Sequence, residues 1–146
     1  MPHNQPATAS TKAAIIKLAQ SSRIAALHPV AARFVYSVRL IALHERAHRD
    51  PVPELAARLG SVETAAKTLA LSQVIAETWP ENIQVSRFCC QLLSHDEVAI
   101  GALVECAAGC DRQGFEDAIT GLIRPGRMHR LWDAVLSLVA AEMRAV

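Results

Sequence analysis

Residues 29–49, PVAARFVYSVRLIALHERAHR, decide how the whole chain is read. Pro29 suits the first turn of a helix, where a missing N–H costs nothing, and Asp50-Pro51 stops it. Between them, Phe34, Val38 and Ile41 fall on one side, and Tyr36, Leu40 and Leu43 on another. A helix apolar over most of its circumference belongs at the centre of a bundle, nearly encircled by neighbours.

The rest of the sequence agrees with that frame. The chain has 146 residues, enough for one core. The hydrophobic fraction is 51% but the aromatic fraction only 4%, so leucine, valine, isoleucine and 26 alanines must fill the interior. Alanine is the strongest helix former and lets helices approach closely. We therefore expect an all-α, single-domain bundle of about six helices over residues 11–146, preceded by a flexible arm over residues 1–10.

A first helix is expected over 11–27, with Ile15, Leu18 and Ala19 on one side and Ser22 and Ala26 extending it, ended by His28-Pro29. A short helix from Pro53 is closed by Gly60, and Ser61 caps the next, whose buried candidates are Val62, Ala65, Leu69 and Val74. Residues 80–94 lack helical periodicity and read as an ordered connector, too apolar at Phe88, Leu92 and Leu93 for a solvated loop. Ser94-His95-Asp96-Glu97 has the spacing of a reciprocal capping box and starts a helix to about Gly109. One short helix follows. The last carries Met128, Leu131, Trp132, Val135, Leu138, Val139 and Met143 on one stripe. That helix has more apolar surface than one contact needs, and we expect a homodimer through Trp132, Leu136 and Val139.

The net charge of +1 gives no default attraction for a polyanion. Residues 1–60 hold eight basic and three acidic side chains (+5) and residues 61–146 seven and eleven (−4), a division expected to place opposite charges on neighbouring faces. The N-terminal residues lack the charged and apolar regions of a secretory signal, and no run reaches ~18 apolar residues, the minimum for a membrane span. A cytoplasmic address with four reduced cysteines is expected.

Three motifs compete for function. His44-Glu45-Arg46-Ala47-His48 spells the zinc signature H-E-x-x-H, in which histidines one helical turn apart share an ion and the glutamate activates its water. Here Arg46 sits inside the motif and Arg49 directly after it. His44 and His48 share an angular sector with Arg33 and Ser37, expected to be a solvated edge, and no pattern marks Glu63 or Glu77 as a third ligand. We read the match as a coincidence of spelling. Cys89, Cys90, Cys106 and Cys110 are the other metal candidates. Cys106 and Cys110 instead continue a stripe with Ala99 and Leu103, which favours core packing.

Residues 53–78 sound like a degenerate helix-turn-helix, with Glu63, Thr64, Lys67 and Thr68 expected to face outward. One lysine equips such a helix poorly for a phosphate backbone. Nucleophile-elbow and phosphate-loop signatures are absent from the sequence. The expectation is a non-catalytic cytoplasmic interaction or regulatory protein without a cofactor. A DNA-associated regulator is the alternative, and a metal-binding protein using His44 and His48 or the cysteines is the second alternative.

From Arg33 onward the chain also resembles a family of small all-helical alphaproteobacterial proteins defined as a domain of unknown function. RFVYSVRLIAL, the FCCQLLSHDE junction from a cysteine pair into a capped helix, and the closing amphipathic helix carry the resemblance. It implies a stand-alone helical protein and gives weight to Cys89, Cys90 and Glu97 as junction residues, with no activity, cofactor or catalytic residue attached.

Overall fold

In the computed structural model, which describes residues 22–145, six α-helices pack as one all-α bundle. They are α1 (Pro29–Arg46), α2 (Val52–Leu59), α3 (Val62–Thr78), α4 (His95–Ala108), α5 (Arg112–Ile119) and α6 (Pro125–Arg144). The flexible arm over 1–10 and most of the first expected helix lie outside the described residues. What is described of that helix differs from the expectation. Ile24–Ala26 form a single 3₁₀ turn, preceded by an antiparallel bridge between Arg23 and Leu92. Ile24 N–H donates to the Gln91 carbonyl at 3.0 Å and Leu93 N–H to the Ser22 carbonyl at 2.7 Å. The chain here pairs with the connector instead of coiling.

Helix α1 is central, as its residue pattern requires. Ala31, Phe34, Val35, Ser37, Val38, Arg39, Leu40, Ile41 and His44 are all buried. It packs on α4, on α3 and on the 3₁₀ turn. The largest cluster joins Phe34 and Val38 to Leu71 and Ile75 of α3, Ile100 and Leu103 of α4, Phe115 of α5, and Leu131, Val135 and Leu138 of α6. Each large aliphatic or aromatic side chain buried there stabilises the fold by about 1.5–3 kcal/mol before entropy is charged against it.

The helix boundaries follow local chemistry. The Nδ1 of His28 accepts from Val30 N–H at the start of α1. Gly60 ends α2 in the left-handed conformation at φ 74°, which a side chain would strain. Ser61 caps α3 by accepting from Thr64 N–H, and Asp111 caps α5 by accepting from Gly114 N–H. The capping box at Ser94 and Glu97 is present in both directions.

Several apolar positions are oriented differently from expectation. Val62 and Met143 are 70% and 68% exposed, because each sits at a helix end beyond the packed surface. Leu43 is also exposed, near the C-terminus of α1. Ser37 and His44, expected on a solvated edge, are buried. No helix among the described residues is long and apolar enough to cross a membrane.

Candidate functional site

Arg39 is the one charged residue between Phe34 and Leu43, and it is 1% exposed. A buried guanidinium must spend its donors on partners. Its Nε donates to Glu97 Oε2 at 2.8 Å and its Nη2 to Glu97 Oε1 at 2.9 Å, a bidentate pair. The remaining donors reach backbone carbonyls of the connector: Cys90 at 2.8 Å, Leu92 at 3.0 Å and Phe88 at 3.4 Å. Glu97, fully buried, also accepts from Ser94 N–H at 2.8 Å and Ser86 N–H at 3.2 Å. One ion pair thus fixes both ends of residues 86–94 against α1 and α4.

The electrostatics agree with this geometry. Burial works to raise the Glu97 carboxyl, but hydrogen bonds from Arg39 and the Ser94 and Ser86 amides outweigh it and hold the group below the usual glutamate range. The Glu97 hydrogen bond raises Arg39 still further. Asp96 adds a second anchor, accepting from Trp79 Nε1 at 3.3 Å and from Gln84 N–H at 2.8 Å.

Because the connector is held this way, it forms one wall of a cleft of about 450 Å³ against α1 and α2. Tyr36, Leu40, Leu55, Leu59 and Phe88 supply its apolar lining; Arg33, Ser37, Arg58, Cys89 and Gln91 supply its polar edge. The Tyr36 and Phe88 rings lie 5.7 Å apart and tilted, and the Arg58 guanidinium stands 5.1 Å above the Phe88 ring. Leu40, Arg58 and Phe88 form a saddle to an adjoining recess of about 460 Å³, edged by Leu43, His44, Arg46, Arg49 and Glu54. Four arginines and one glutamate therefore line the two recesses together.

The residues of the zinc spelling part company here. Helix α1 ends at Arg46, so His48 lies past it, at φ 55° and exposed, while His44 is buried with its Nδ1 3.0 Å from the Leu40 carbonyl. The one-turn spacing needed for a shared ion is lost with the helix. The other ring nitrogen of His44 is 3.9 Å from Glu54.

The cysteines diverge similarly. Cys106 packs partly against the core, where burial first and then Asp111, Glu105 and Asp117 raise its thiol above the usual range. Cys110 does not continue that stripe: α4 ends at Ala108, and Cys110 turns outward at φ 55°. Cys89 is exposed on the cleft edge and Cys90 half-buried. Among the described residues, no three His, Cys, Asp or Glu side chains are grouped to hold a metal ion.

Two further placements correct the sequence reading. Thr64 and Thr68, expected to face outward from the second helix of a helix-turn-helix, are 1% and 2% exposed, because α3 packs against α6 as well as α2. Exposed Glu63 is engaged by Arg144, which lowers its carboxyl. Val139, expected on a dimer face, is buried in the chain's own core, while Trp132 meets Phe115 edge-on at 5.0 Å and carries Arg112 over its ring at 5.3 Å. Comparisons of the chain with protein-family models, with curated proteins and with solved structures find no match.

Proposed function

We propose that the protein is a non-catalytic interaction or regulatory protein of the cytoplasm whose working surface is the cleft between α1, α2 and the connector. The observation that carries this reading is the make-up of the cleft. Its walls are aliphatic and aromatic, and its nucleophilic side chains, Cys89, Ser37 and Tyr36, share the lining with no histidine or carboxylate that could act as their base. Its size falls within the range of ligand-binding clefts, about 300–1,000 Å³. A concave apolar surface with a few polar groups at its edge is suited to holding a ligand and has no evident means of transforming one. Any self-association through α6 would rest on Trp132 and Leu136, since Val139 faces inward.

The test uses Nile red, an uncharged apolar dye, with the full chain. Saturable binding with one dye per chain is expected, and Leu59→Glu, which places a charge in the cleft, should abolish it while helical circular dichroism persists. Cys89→Trp, at an exposed edge position that the core does not need, should do the same by filling the space. Absence of saturable dye binding to the unaltered chain, or binding indifferent to both substitutions, would remove the cleft from the function.

A further inference from the structure

We propose that this cleft takes an amphipathic carboxylate, with its hydrocarbon body on Tyr36, Leu59 and Phe88, above the buried Leu40 and Leu55, and its charged end on the terminal guanidinium nitrogens of Arg58. The proposal rests on the reading of the cleft as the binding surface and names the chemistry that the surface selects.

Arg58 carries the argument. Its Nε donates to Glu54 at 3.1 Å, but among the described residues neither terminal nitrogen has a hydrogen-bond partner. The guanidinium is held over the Phe88 ring at the saddle between the recesses. An edge with two free N–H-bearing nitrogens matches the two oxygens of a carboxylate.

Its surroundings have the same sign. Arg33 uses Nε and Nη2 on Glu142 and keeps Nη1 unbonded, and Arg46 and Arg49 in the adjoining recess form no ion pair among the described residues. Glu54, in the adjoining recess, is the single acid around the two. An uncharged apolar ligand would leave this excess of positive charge unanswered, and a small hydrophilic anion would leave the half-buried Tyr36, Leu59 and Phe88 wet. A chain with both properties answers both.

Decanoate, below the concentration at which it self-associates, is the probe, with decanamide as its uncharged counterpart. Decanoate should displace Nile red from the full chain, and decanamide should compete about tenfold less well, the factor expected for one charge-assisted contact. Arg58→Gln should weaken decanoate by about the same factor and so bring it to the level of decanamide. Bound decanoate should also slow alkylation of Cys89 by iodoacetamide, while Cys110, exposed and away from the cleft, reacts as before. Nile red binding without displacement by decanoate would overturn the carboxylate and leave the cleft reading standing. Equal competition by decanoate and decanamide, indifferent to Arg58→Gln, would do the same. Failure of Nile red, decanoate and decanamide alike to bind would end both.

Discussion

Helix α1 carries two arginine–glutamate pairs, and they do different work. Arg39–Glu97 lies at 1% and 0% side-chain exposure, whereas Arg33–Glu142 lies at 45% and 10%. Both have two-nitrogen geometry, and both join a basic residue of the first sixty to an acidic residue of the remainder. The interior pair also bonds to the backbone of the connector, while the outer pair links only side chains of α1 and α6. In a low-dielectric interior, a charge must have every partner or be very costly. The same chemistry is therefore structural in one place and incidental in the other.

Removing one partner of the inner pair should have the largest effect. Arg39→Met leaves Glu97 buried without its cation, and about 3–5 kcal/mol of stability should be lost in urea unfolding. Ser94→Ala deletes the acceptor for Glu97 N–H and the hydroxyl that donates to the Gln84 carbonyl; a loss of about 1–2 kcal/mol is expected by the same measurement. Arg33→Met, at the outer pair, should cost no more than about 1 kcal/mol, because solvent screens the interaction. His48→Ala should stay within about 0.5 kcal/mol, and added zinc should not raise its Tm or that of the unaltered chain.

Acid separates the pairs in another way. Glu97 has a lower pKa folded than unfolded, so its contribution is complete above the ordinary glutamate value, about 4.3, and is lost as the pH falls through the folded value. Stability should decline on acidification below that value, and Glu97→Gln should flatten the decline. Unfolding curves collected between neutral pH and the acid range provide the check.

The bundle was legible because it rests on periodicity. The central helix, the Gly60 cap and the Ser94 capping box are each set by residues a few positions apart. The cleft was not legible in that way. It depends on Arg39 meeting Glu97, fifty-eight positions away, and spacing says nothing of such a meeting. One signal was available: an isolated arginine within the otherwise uncharged stretch 34–43 demands a buried partner or an exposed side. The zinc spelling failed for the complementary reason. Its residues are right for a helix, but Ala47 and His48 leave the helix as the chain turns towards α2. Ser37 and His44 were misplaced because α2 and the connector fold over a face that helical periodicity alone would assign to solvent.

The central claim is that the buried pair gives the cleft its shape by holding the connector. The direct test is Nile red affinity in the double variant Arg39→Met, Glu97→Leu, whose apolar side chains can fill the interior without a stranded charge. The account predicts a protein that still melts cooperatively but binds the dye about tenfold or more weakly, since the Phe88, Cys90 and Leu92 carbonyls have lost their donor. A cooperatively folded double variant with undiminished dye affinity would contradict it.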